Sequence, residues 1–210
     1  LTCSIICHGV NSPIVWDDYR SYLEKKYGSK LAGYNFRSKS KGWQKKNGGP
    51  NLRVSMKFDN GKSIDLPSWK NLFHCWFGQH FILRESCLRC KYRTEERNSD
   101  LVIGDFWGID KILPQADTRN GVSVLITTSK TGEDFFRKLS NVESIAVDAS
   151  KAKQVLRGFI NKKSEDAISK EEARRTAFEK EYVEKGFAFM MNKYPSPSNL
   201  DQVISFIKSK

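Results

Sequence analysis

Between Leu52 and Phe58 the chain alternates apolar and polar residues, with Leu52, Val54, Met56 and Phe58 on one side. That period of two predicts a strand with one buried face. Asp59-Asn60-Gly61 follows as a tight-turn sequence and Ser63–Leu66 returns, so the stretch predicts a β-hairpin. Elsewhere the period lengthens. Val15, Trp16, Tyr19, Tyr22 and Leu23 recur at helical spacing. Ser12 stands at the N-cap position, Pro13 at the first helical position and Gly28 at the stop. The same reading predicts strands over Leu1–Val10, Leu31–Phe36, Leu101–Ile103, Gly121–Thr127 and Val142–Val147. It predicts helices over Trp69–Leu83 and Thr131–Leu139, and a loop around Cys87 and Cys90. From Ser164 to Tyr194 the residues are dominated by Glu, Lys, Arg and Ala, which predicts one long helix, ended by Pro195 and Pro197. Asn199 is expected to begin a short last helix.

Strands alternating with helices indicate an α/β fold, with α+β as the neighbouring class. The hairpin at Asp59 makes the sheet at least partly antiparallel, so a mixed sheet with flanking helices and a helical carboxy-terminal tail is expected. The change of composition after about Ser150 divides the expectation into a main domain over 1–150 and a helical extension over 151–210.

Charge adds a constraint on partners. The 210 residues carry a net charge of +12 with pI near 9.5. Such a surface attracts anions, either nucleic acid or the phosphates of a flavin or nucleotide, or it simply solvates the protein. No DNA- or RNA-binding motif accompanies the charge. No apolar run approaches the roughly 20 residues needed to span a bilayer, so no membrane partner is expected. The apolar start, LTCSIICHGV, has no basic leader or cleavage site and begins without Met. Residues ahead of Leu1 are therefore expected in the whole protein.

The cysteines are Cys3, Cys7, Cys75, Cys87 and Cys90. An odd number argues against a closed disulfide framework, and a Cys-x-x-Cys pair suits a reducing compartment. A cytoplasmic location is expected on that ground. Cys87-Leu88-Arg89-Cys90 can turn both sulfurs toward one metal centre, and Cys7 sits at the end of a predicted strand, where an α/β sheet presents functional groups. An iron–sulfur cluster takes four thiolates, so these three leave one ligand to find. Zinc is the rival, with Cys75, His80, Cys87 and Cys90 as a Cys3His set and His74 nearby. Cys3 and Cys75, in apolar surroundings, also suit plain buried thiols.

Other candidates surround the cysteines. Gly9 to Ser12 precede a helix N-terminus that can attract phosphate, or form an ordinary strand-to-helix turn. His8 can titrate near neutrality and touch a cofactor, or serve as a hydrogen-bonded structural residue. Arg37, Lys39 and Lys41 can bind phosphates while Trp43 stacks on a ring system, or the segment is a solvated basic loop. Asp105, at a strand end before Phe106-Trp107-Gly108, can accept hydrogen bonds from a cofactor or cap a turn.

Three strings together resemble a known family. Cys7-His8-Gly9-Val10-Asn11-Ser12-Pro13 is similar to its Cys-His-Gly-Val-Pro-Ser-Pro segment, with Asn11 in place of Pro. Arg37-Ser38-Lys39-Ser40-Lys41-Gly42-Trp43 resembles its Arg-x-Lys-x-x-Gly-Trp stretch. Arg84-Glu85-Ser86-Cys87-Leu88-Arg89-Cys90, followed by Arg97 and Asp100 and then Gly104-Asp105-Phe106-Trp107-Gly108, resembles its most specific segment. The family is the carboxy-terminal region of the coenzyme F-420 hydrogenase/dehydrogenase beta subunit. The resemblance runs from Cys7 to Gly108, and more loosely through Val122. It implies FAD, a 4Fe–4S cluster, electron transfer between them and a redox partner protein or domain. Some of its bacterial members stand near polysaccharide-synthesis genes. By the resemblance Cys7, Cys87 and Cys90 are cluster ligands, a cysteine upstream of Leu1 is the fourth, and the present segment alone is inactive. The implied flavin contacts are His8, Gly9, Ser12, Arg37, Lys41 and Asp105.

Overall fold

The computed structural model describes residues 1–44, 50–94, 96–160 and 163–197. In chain order its elements are β1 (Cys3–Ile5), α1 (Pro13–Tyr27), β2 (Leu31–Asn35), β3 (Arg53–Phe58), β4 (Ser63–Pro67), α2 (Leu72–Gly78), α3 (Glu85–Leu88), β5 (Leu101–Asp105), β6 (Ser123–Thr127), α4 (Lys130–Arg137), α5 (Ala149–Ile160) and α6 (Glu165–Lys193). They fall into two compact units. The first takes Leu1–His8, Gly42–Asn51 and Cys90–Ser164; the second takes Gly9–Lys41, Leu52–Arg89 and Glu165–Lys210. The units interleave along the chain, and two of the crossings, after His8 and after Arg89, fall inside the cysteine motifs.

The first unit is built on a mixed sheet of order β1-β5-β6. β1 runs parallel to β5, with Cys3 beside Leu101 and Ile5 beside Ile103, and β5 runs antiparallel to β6. Side chains alternate across a strand, and the Val102 and Val124 side is buried. A core of Trp43, Phe106, Ile109, Val124, Ala152, Leu156 and Ile160 fills this unit. Ala152, Leu156 and Ile160 recur every four residues and so share one face of α5. Burying a Leu or Ile side chain contributes about 1.5–3 kcal/mol, which makes this stripe the reason α5 holds its place. Gly104 is required here by a close approach: a Cβ on it would stand 2.7 Å from Ile6 Cβ. Asp100 ties the sheet ends together. Its carboxylate accepts from Thr2 N at 2.7 Å, Thr2 Oγ1 at 3.0 Å and Ser129 Oγ at 2.6 Å. Ser129 also caps α4, accepting from Gly132 N.

The second unit holds an antiparallel sheet of order β2-β3-β4. The expected hairpin is β3–β4, with Val54 opposite Leu66 and Met56 opposite Ile64. The alternation read from sequence is physical: Val54, Met56 and Phe58 are all buried. α1 lays Val15, Tyr19 and Leu23 on this core, α2 adds Phe73 and Trp76, and α6 adds Phe178 and Met190. Phe178 stacks on Phe81 at 5.0 Å between ring centres and meets Trp76 edge-on at 5.1 Å. Trp76 Nε1 donates to the Tyr194 carbonyl at 2.8 Å. α6 is kinked at Gly186, whose φ of 76° and ψ of 173° leave the helical region.

The α/β class, the mixed sheet and the helical tail are as expected. The strands, however, divide between two sheets. The strand expected over Leu1–Val10 is confined to Cys3–Ile5, because from Val10 the chain turns to other partners. The helix expected over Trp69–Leu83 begins with a single 3-10 turn and stops at Gly78. His80 takes a positive φ of 66°, which ends helical geometry, and the residues beyond it pair with the segment after Gly9. Val142–Val147 forms no strand; Val142 and Ile145 are exposed there. The helix α5 falls almost wholly within the expected helical extension over 151–210, though no separate helix was expected there, and the helix expected from Asn199 lies outside the described residues.

Candidate functional site

In the second unit two motifs some seventy residues apart are laid side by side. Asn11 bridges antiparallel to Leu83. Ser12 N donates to the Ile82 carbonyl at 2.8 Å, and Arg84 N donates to the Val10 carbonyl at 2.9 Å. This short ladder delivers the chain into α3, the single turn that carries Cys87. There Val10 N–H donates to Cys87 Sγ at 3.3 Å. Gly9 is needed for the same fit: its φ is 155°, and a Cβ would stand 2.9 Å from Leu83 Cδ2. Ser12 occupies the N-cap of α1 without a side-chain cap, so its part is played by its backbone. Its carbonyl accepts from Trp16 N.

The Cys87 segment is also held from α6. Arg175 Nε donates to the Leu83 carbonyl at 2.6 Å. His80 Nδ1 lies 3.1 Å from Glu171, and Arg174 lies over the Phe81 ring at 5.1 Å. Arg89, between the two cysteines of the motif, donates Nε and Nη2 to the two oxygens of Glu172 at 2.5 and 2.8 Å, and Nη1 to Glu165 at 2.9 Å. Sequence reasoning missed these contacts. Helix composition says nothing of which charged residues meet a distant loop.

In the first unit Cys7 follows β1 as an exposed thiol. The end of β1 is pinned by Ile6 N, which donates to the Ile103 carbonyl at 2.7 Å, and by Arg97 Nη1, which donates to the Ile5 carbonyl at 2.9 Å. Arg97 and Asp100 of the third motif thus position the strand that leads into the first. Cys90 is partly buried and its carbonyl accepts from Arg93 N. Asp105 ends β5 opposite Ser123, partly buried. Trp43 corrects an expectation: it is buried and stacks on Trp107 at 4.2 Å and 13° between planes, so its ring partner is a protein indole.

The remaining candidates are placed as follows. His8 is exposed in the first unit, and Arg37 and Lys41 are exposed in the second. Arg37 contributes to depressing the imidazole of His74 to about 4, burial being the larger cause. Cys75 donates its thiol to the Trp69 carbonyl at 3.0 Å, and burial pushes it up to about 11. It is a neutral structural thiol, and His80 faces Glu171. Among the described residues no group of three or more His, Cys, Asp and Glu side chains stands ready to hold a metal ion. None of the five cysteines is in a disulfide. The chemistry of the donor set still suits a thiolate-bound centre: an exposed Cys7, and a Cys87 sulfur that already accepts a backbone N–H.

Fold and motif placement define a mixed α/β protein whose cysteine segments are each anchored by backbone and arginine hydrogen bonds. Residues 1–153 match the family model described as the C terminus of the beta subunit of coenzyme F420 hydrogenase/dehydrogenase, and the chain belongs to that family. It is thus an oxidoreductase component of the kind that works as one part of a multi-component enzyme. Comparison with curated proteins and with solved structures gave no match. No helix among the described residues is long and apolar enough to cross a membrane.

Proposed function

We propose that this chain carries electrons between FAD and a 4Fe–4S cluster within a redox assembly, with Cys7, Cys87 and Cys90 as three cluster ligands. The observation that supports this reading is the hydrogen bond from Val10 N–H to Cys87 Sγ, which joins the first and third motifs at a sulfur. A backbone N–H aimed at sulfur stabilises added negative charge there, as a thiolate or a reduced cluster ligand requires. The cluster would supply one-electron storage, and the flavin the exchange of one or two electrons.

The chain's own residues then have distinct tasks. Gly9, Val10 and the α3 turn orient Cys87, and Arg97 and Ile103 hold the strand that leads to Cys7. Arg37 and Lys41 offset flavin phosphate charge. The Gly9–Ser12 backbone, His8 and Asp105 supply hydrogen bonds to the cofactor. The fourth thiolate comes from a segment ahead of Leu1, and a separate protein or domain supplies or takes the electrons. A cytoplasmic location keeps the thiols reduced, and polysaccharide synthesis is the setting the resemblance offers for the substrate.

The full protein prepared without oxygen, then analysed for iron, acid-labile sulfide, zinc and flavin, tests this. Iron and sulfide in equal amounts, with bound flavin, are expected. Cys7→Ser and Cys87→Ser should each lower the iron content, while Cys75→Ser leaves it unchanged. Zinc without sulfide or flavin would replace the reading with a zinc-stabilised structural module.

A further inference from the structure

We propose that α6 is a clamp that positions the Cys87 segment, with Glu172 as its principal positioning residue. The inference rests on Cys87 being a cluster ligand, as proposed above. α6 lies wholly beyond the matched residues 1–153. Yet its first half meets the Cys87 segment at successive points. Glu171 reaches His80, Arg174 covers Phe81, Arg175 takes the Leu83 carbonyl, and Glu172 and Glu165 take Arg89. These contacts span residues 80 to 89 on both sides of Cys87. Positions 171, 172 and 175 recur at three- and four-residue spacing, so they share one side of the helix.

Two features mark this as positioning rather than general stabilisation. Arg89 is half exposed, and an exposed ion pair adds little to global stability. Its fork geometry, however, fixes direction: two nitrogens meet two oxygens of one carboxylate. The Arg175 bond acts on the ladder itself, because Leu83 is the residue bridged to Asn11. The clamp also sets charge. Glu172 and Glu165 compensate a guanidinium one residue from Cys90 and two from Cys87, so removing Glu172 leaves positive charge beside the proposed centre.

The test uses the full protein. Without cofactor, mass spectrometry follows amide exchange at Val10 and alkylation of Cys87 in wild type, Glu172→Gln, and the swapped set Arg89→Glu with Glu172→Arg and Glu165→Gln, the last because Glu165 also faces position 89. Glu172→Gln should raise both rates about fivefold or more through local opening, with the thermal midpoint unmoved, and the swap should restore them. In reconstituted protein the same substitution should speed chelator removal of the cluster and shift its potential positive. Unchanged rates, rates that rise only with a falling thermal midpoint, or no recovery in the swap would overturn the clamp. If no cluster assembles in wild type, the proposed function fails while the thiol result judges the clamp separately. If a cluster assembles and Glu172→Gln behaves as wild type, only the clamp fails.

Discussion

Cysteines of one chain are separated by their surroundings more than by their spacing. Cys75 is a buried thiol donating to a carbonyl, whereas Cys87 accepts from an N–H. The sequence placed Cys75 in apolar company and so made the first part legible. It could not show the second, because the donor is a backbone group contributed from residue 10. His74 illustrates the same limit. Beside other aromatics it read as a possible zinc partner, but burial and the charge of Arg37 keep it neutral. Its value of about 4 lies below the ordinary 6.5. Between these two the unfolded chain binds the extra proton, so the stability is present in full above pH 6.5 and is lost as pH falls toward 4. The loss should approach about 3 kcal/mol by the size of the shift. Denaturant unfolding of wild type and His74→Gln at pH 7.5 and pH 4.5 checks this: the variant should lose less stability between the two.

Elements with a complete local signal appear where the sequence put them. α1 has Pro at its start, a Gly stop and a helical apolar stripe; β3 and β4 have alternation on both sides of a turn that Gly61 completes at φ 81°. Where one ingredient was missing, the reading failed. Val142–Val147 has apolar residues, but Val142 and Ile145 are exposed, so the stretch has no continuous buried face of the kind that stabilises a strand. The end of α2 is set by His80 and by the need of residues 82–84 to meet 10–12. Packing carries the element energies. Phe178→Ala, which empties a site between Phe81 and Trp76, should cost about 3–5 kcal/mol by chemical denaturation. Gly104→Ala forces Ile6 away from β5 and should cost about 1–3 kcal/mol in the same measurement.

At the scale of the molecule, the chain contributes three separate stretches to each unit. A linear division at residue 150 follows the change in composition. The cores follow the contacts instead: Phe178 and Met190 of α6 are part of the core around Val54, Met56 and Trp76. Ending the chain after residue 164 should therefore expose that core, with loss of near-ultraviolet aromatic dichroism and cooperative unfolding. A native-like spectrum from the shortened chain would show the tail to be dispensable.

By itself the sequence determined the family and the elements whose local signals were complete, and it named candidate residues for metal and anions, since turn chemistry, periodicity and ordered motifs act over short stretches. Only the tertiary structure decided which sulfur meets a backbone donor, which tryptophans stack and which helix holds the Cys87 segment. Those outcomes depend on groups far apart in the chain sharing the same space, and no short-range pattern encodes that sharing.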